Sequence, residues 1–240
     1  MTSINHHPSD ELLLDYSAGN VTGGNAVCIA SHIELCSQCK AAHKRNNAIG
    51  GALISKLESQ KVSDQLKNKV LQSITRTKAE VPASPASTEE TKDFEKVSKP
   101  SSSSNGSNLN IPRAIRSFVP DDFSALDWSI ATASAKTCLL FKDELGAAVS
   151  LLRIKPGGKI SNHKHMGDEY TLILSGSFSD EDGIYKAGDF MLRNDQHQHT
   201  PVATKDAECI CLTVQEAPLQ FTGRLWRMLN PFIRKSFQPI

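Results

Sequence analysis

Apolar positions recur at helical spacing through the amino-terminal part of the chain and at strand spacing through the carboxy-terminal part, with a polar stretch between them. Ser9-Asp10-Glu11 precedes Leu12, Leu13, Leu14 and Tyr16. A serine there can cap, and acids in the first turn face the positive end of the helix dipole, so the pattern predicts a helix that Gly19 ends. Ala26, Val27, Ala30 and Ile33 predict a second helix leading to Cys36, and Ala41, Ala42, Ile49, Leu53 and Leu57 give one apolar side to a third, from Ser37 to about Leu57. Gly50-Gly51 weakens its middle, because glycine costs about 1 kcal/mol in a helix interior. Val62 to Ile74, with Leu66, Val70 and Leu71, predicts a fourth.

After Ile111 the period changes. Short apolar runs at Ser117–Val119, Ile130–Ala133, Cys138–Lys142, Ala147–Ile154, Tyr170–Leu174, Gly176–Ser179, Asp189–Leu192 and Glu208–Val214 are separated by turn signals such as Pro156-Gly157-Gly158 and Ala187-Gly188-Asp189. Strands at that spacing suggest an all-β sandwich or barrel. Between the two patterns, VPASPAS, STEETKDFEK and SKPSSSSNGSN offer too little apolar surface to offset chain entropy. The expected organisation is a small all-α domain at residues 1–85, a flexible linker at 86–110, an all-β domain at 111–220 and a tail at 221–240. The tail is cationic and amphipathic, but Pro231 breaks it. Packing of Leu225, Trp226, Leu229 and Phe232 on the barrel or a partner is a commoner use of such a segment than membrane binding.

Composition narrows the function classes. Lysine plus arginine, 27, nearly balances aspartate plus glutamate, 26, so no whole-molecule field draws the chain to nucleic acid or an acidic membrane. Neither a signal-peptide pattern nor a run of about 20 apolar residues occurs, which points to a cytoplasmic protein. The six cysteines are too few and uneven for a disulfide scaffold, so C-x-x-C in a reducing compartment reads as a metal clamp or redox pair. All eight histidines fall in residues 6–43 or 163–199, which implies two separate sites.

The first site is H-x3-C-x2-C. His32 and Cys36 stand one helical turn apart and Cys39 lies a turn beyond, so three soft or borderline ligands reach one point. His7 or its neighbour His6 supplies a fourth, giving a closed zinc site of two cysteines and two histidines whose metal would contribute to folding a small helical unit. The second site is HKHMGDE. On one continuous strand His163, His165 and Glu169 share a face by parity, and a histidine from a neighbouring strand would complete a nitrogen and oxygen site. Cys209 and Cys211 share a face by the same rule and read as small core residues.

Two resemblances sharpen these readings. HHPSDELLLDYSAG, SHIELCSQC and AIGGALI, within the first 60 residues, resemble the zinc-binding domain of the ChrR-type anti-sigma factors. That family binds an extracytoplasmic-function sigma factor and keeps it from RNA polymerase, and the resemblance favours His7 over His6. Gly157, His163, His165, Glu169 and Gly176 match the spacing of the first cupin motif, and Gly188 followed by His199 resembles the second, which selects His199 over His197. Asn194, Gln196 and Ala203 depart from that second motif. The resemblance implies a jelly-roll (double-stranded β-helix) cupin holding zinc or another divalent transition metal, which senses an oxidant such as singlet oxygen or an organic peroxide. Leu12, Leu13 and Tyr16 on the first helix and Ile49, Leu53 and Leu57 on the third are the expected partner face. The competing class is a cupin dioxygenase or isomerase with a zinc-binding appendage. A nucleic-acid-binding finger is disfavoured, since only Lys40, Lys44 and Arg45 lie near the cysteines.

Overall fold

The computed structural model describes residues 3–21, 23–79, 111–120 and 125–221. The expected linker and all but the first residue of the expected tail lie outside them. The chain divides into two compact units, residues 1–52 with 108–240, and residues 53–107.

In the first unit, α1 (Asp10–Ala18) starts where Ser9 accepts a hydrogen bond from the Leu12 amide and ends at Gly19, which turns left-handed at φ 80°. Helix α2 (Gly23–Leu35) and helix α3 (Ser37–Ile54) follow. The described part of the second unit carries α4 (Asp64–Ala79), capped where Ser63 accepts from the Leu66 amide. Back in the first unit, a short α5 (Arg113–Arg116) leads into the β region. The expected strand at Ser117–Val119 is a turn instead: Ile115 and Val119 are buried four residues apart, a helical and not a strand spacing, and Phe118 packs on Phe141 with ring centres 4.5 Å apart.

The β region is an antiparallel sandwich. A six-stranded sheet runs β1 (Ser129–Thr132), β2 (Ala135–Lys142), β3 (Ala148–Ile154), β11 (Cys209–Gln215), β5 (Glu169–Ser175), β8 (Phe190–Arg193). Two three-stranded sheets complete it: β10 (Val202–Ala203), β6 (Ser177–Ser179) and β7 (Ile184–Lys186), and then β12 (Gln220–Phe221), β4 (His163–Lys164) and β9 (Gln198–His199). The inward positions Ile154, Ile173, Cys209 and Cys211 form one core with Ile160, Phe178, Tyr185 and Ala203. Period-two alternation places Val149, Leu151, Tyr170, Leu172, Ile210, Leu212 and Val214 on the opposite face of the large sheet.

That outer face is covered by the helices. Leu13, Cys28, Ile29 and Ile33 share one buried cluster with it. Gly24 makes the close approach, since a Cβ there would stand 2.5 Å from Val149 and 2.7 Å from Val214. Asp143, in the β2–β3 turn, caps α2 by accepting from the Gly24 amide at 2.8 Å. Among the described residues, no helix is long and apolar enough to cross a membrane.

Candidate metal centres

The first cluster gathers His7, His32, Cys36 and Cys39, with one ligand atom from each within 4.8 Å of all the others. His32 lies in the last turn of α2, Cys36 at the α2–α3 junction and Cys39 in the first turn of α3, while His7 arrives on the extended segment before α1. His32 Nδ1–H donates to the carbonyl of Gly188 at 2.9 Å, so its Nε2 lone pair faces Cys39 Sγ at 3.3 Å. His7 Nδ1 lies 3.4 Å from both thiols. Nitrogen and sulfur ligands of a tetrahedral zinc stand about 3.5 Å apart, so the set has room for that ion. Burial holds His32 near pKa 4 and pushes the Cys39 thiol up to about 12, with the Cys36 sulfur beside it adding to the rise. His32 is therefore neutral at pH 7, and Cys39 becomes a thiolate when a cation arrives.

Geometry separates the alternatives that the residues alone leave open. His6 is turned away, its Nδ1 3.1 Å from the Asp189 carboxylate, and His43 pairs with Ser17 at 2.8 Å.

The second cluster is His163, His165 and His199, all buried. Their Nε2 atoms converge, 3.2 Å from His199 to each of the others. His163 Nδ1–H donates to Ser161 at 3.0 Å and His199 Nδ1–H to the Asp180 carboxylate at 2.9 Å. Three imidazole lone pairs thus face one point, an unfavourable arrangement unless a cation lies between them. Nitrogen ligands of a tetrahedral zinc stand about 3.3 Å apart, and the carboxylate–histidine pair is a usual device for orienting a metal ligand. Burial, reinforced by the charge of His199, holds His163 near pKa 4, and burial also lowers His199.

Glu169 does not join the three nitrogens in this structure. The strand expected to carry it on from His165 is interrupted by a bend at Met166-Gly167, so Glu169 opens β5 in the large sheet while His163 lies on β4 in another. The parity argument fails there, because it requires one continuous strand. Its Oε2 faces Nδ1 of His165 at 3.4 Å, too long for a good hydrogen bond, and accepts from Gln215 at 2.6 Å, while Oε1 accepts from Thr171. Burial alone would raise this carboxyl, but His165 and Gln215 outweigh it and bring it to about 2. The charge sits on the far side of His165, where it favours the Nδ1–H form that leaves Nε2 for the cluster. A cavity of about 390 Å³ opens beside these groups, lined among others by His163, His199, Glu169, Thr137, Thr171 and Thr213. Cys209 and Cys211 are buried, with sulfurs 3.6 Å apart.

The six expected partner-face residues separate. Leu13 is in the core at 2% exposure, and Leu12 and Tyr16 are partly buried against it. Ile49, Leu53 and Leu57 are 62%, 63% and 72% exposed. Three contributors escape sequence reasoning: Asp180, Asp189 and the carbonyl of Gly188. A lone aspartate in a turn carries no spacing signal, and a carbonyl carries none at all.

Comparison with known proteins agrees with this layout. Residues 119–219 match the family described as the ChrR cupin-like domain. Over 233 residues, 97% of this chain and 99% of the relative, the sequence is 28% identical to the anti-sigma-E factor ChrR of Cereibacter sphaeroides. A crystal structure of Rhodobacter sphaeroides SigE in complex with the anti-sigma ChrR contains a chain that is 26% identical, with a TM-score of 0.66, covering 89% of this chain and 99% of that one. Residues 119–219 thus match the ChrR cupin-like domain, and the layout of the whole chain, helices with a cluster of two histidines and two cysteines followed by a cupin-like sandwich with a three-histidine cluster, is similar to that of the ChrR-type proteins.

Proposed function

We propose that this chain is a cytoplasmic, zinc-dependent anti-sigma factor, a regulator and not an enzyme, that sequesters an extracytoplasmic-function sigma factor. The observation that carries the reading is apolar surface left bare on the helices. Ile49, Leu53, Ile54 and Leu57 are more than half exposed, and α4 shows Leu66, Val70 and Ile74 at four-residue steps, each half-exposed or more. Exposed apolar residues at helical spacing mark a surface for a protein partner. The relative matched along 99% of its length is an anti-sigma factor, and the solved relative is in complex with SigE. Leu13 belongs to the core, so the contacts proposed for the partner rest on the exposed apolar residues of α3 and, separately, of α4.

His7, His32, Cys36 and Cys39 are the zinc ligands in this reading, and zinc fixes the α2–α3 junction that presents α3. His163, His165 and His199 hold zinc or another divalent transition metal, with Glu169 beside His165 available to them if its carboxylate swings off Gln215. The cavity at this centre admits a small oxidant, such as singlet oxygen or an organic peroxide, and its reaction there loosens the sigma complex. A cupin metalloenzyme would use the same cavity for substrate, but the end-to-end similarity to an anti-sigma factor favours the regulator. The test is co-expression of the full chain with each candidate sigma factor of the same genome. A stoichiometric complex that inhibits transcription, and that Leu53→Asp with Leu66→Asp breaks, is expected; no complex with any sigma factor refutes the proposal.

A further inference from the structure

Deep in the interface between helices and sandwich, one buried carboxylate holds the start of the chain. Asp189, 1% exposed, lies in the turn between β7 and β8. Its Oδ1 accepts from the amides of Asn5 at 2.8 Å and His6 at 3.1 Å, and its Oδ2 from the Lys186 amide at 2.9 Å, with His6 Nδ1 at 3.1 Å. Next to it the Phe190 amide donates to the His6 carbonyl at 3.0 Å. The backbone on the amino-terminal side of His7 is thus fixed at three hydrogen bonds to the cupin strand. Gly188 adds a fourth element. Its carbonyl holds His32, its φ is +95°, and a Cβ there would collide with Ile4 at 2.6 Å. A side chain at 188 would be strained and would also displace the segment that carries His7.

We propose that Asp189 is a positioning residue for the amino-terminal metal centre, acting through His7, and that the Gly188–Asp189 turn makes this centre a joint product of both halves of the chain. Cys36 and Cys39 are set by the start of α3, whereas His7 lies on an extended segment outside the helices, and His32 receives its orienting acceptor from the cupin. The inference rests on the metal reading of the first cluster. It also gives the cupin a physical route to the helices: His199 is held by Asp180, Asp180 by Arg193 at 3.3 Å, and Arg193 ends the strand that Gly188 and Asp189 introduce.

Cobalt(II) titration of the full-length, metal-stripped chain tests this, because only the first centre contains thiolates and its thiolate-to-cobalt absorption reports that site alone. Asp189→Asn should weaken cobalt binding there roughly 10–100-fold, the usual effect of removing an outer-shell partner, while Asp189→Asn in a His7→Ala background should add nothing further. His6→Ala, which leaves the cupin turn intact, should weaken binding in the same direction by less. If Asp189→Asn binds cobalt as wild type does while His7→Ala does not, or if the two losses simply add, the positioning role is wrong. If wild type itself gives no thiolate band, the metal reading fails and carries this inference down with it.

Discussion

Replacing Gly24 with alanine adds one methyl group where α2 lies on the large sheet. In an exposed helix this change stabilises by up to about 1 kcal/mol, less in a first turn. Here the added carbon stands 2.5 Å from a methyl of Val149 and 2.7 Å from a methyl of Val214, against a comfortable separation of about 3.5–4.0 Å. Both valines are fully buried on adjacent strands and, being β-branched, have few alternative rotamers. The helix must therefore lift by about 1 Å. Overpacking of this kind costs about 1–3 kcal/mol, so the net effect is a loss of about 1–2 kcal/mol, or roughly 2–8 °C in Tm for a unit of this size. Gly51→Ala is the control. It lies in α3 with nothing within 4 Å of the added carbon, so Tm should rise. Both variants are melted calorimetrically at one fixed metal concentration, because bound metal itself moves Tm. A Gly24→Ala protein that melts at or above the wild-type temperature would refute the close docking of α2.

Three further outcomes follow from the same geometry. His32 and His163 sit near pKa 4 in the fold and near 6.5 when unfolded, so between those values the unfolded chain binds more protons. The metal-free protein should hold its full stability above pH 6.5 and lose up to about 3 kcal/mol per histidine as pH falls toward 4; a urea midpoint that stays flat from pH 7.5 to 5 would contradict this. Asp180→Asn removes the acceptor of His199 Nδ1–H and should lower metal affinity at the three-histidine centre about 10–100-fold, read by competition with a chelator, while the thiolate band of the other centre stays constant. Metal binding at Cys36 and Cys39 should release protons and strengthen as pH rises, because the Cys39 thiol starts near 12; pH-independent affinity would mean that Cys39 is not a ligand.

Much of this fold is legible in the sequence wherever one local rule governs. Ser9 and Gly19 bound α1 because capping acts over three residues, and the long strands β3, β5 and β11 announce themselves through runs such as Tyr170–Leu174. Strands of two or three residues, such as β4 and β9, do not, since pairing with neighbours and not composition makes them strands. Glu169 lies beyond the reach of a parity rule, because that rule assumes an unbroken strand across Met166-Gly167. The seating of the helices on the sheet carries a faint signal: Tyr170, Leu172 and Leu174, like Ile210, Leu212 and Val214, leave no polar position on their outer face. A sheet face so apolar must be covered by something. Nothing local says by what, because the contacts that decide it join residues such as Asn5 and Asp189, which lie 184 apart in the chain.

That separation has a consequence in time. His6 and His7 are made well before the cupin, but the carboxylate that fixes the backbone just ahead of His7 is made 183 residues after His6. At 5–20 residues per second this interval is on the order of 10–40 s. During it the nascent helices hold two cysteines and an untethered histidine, with no sandwich beneath them. The ligand made first is the one positioned last, so a newborn chain completes its first metal centre only after β8 has emerged.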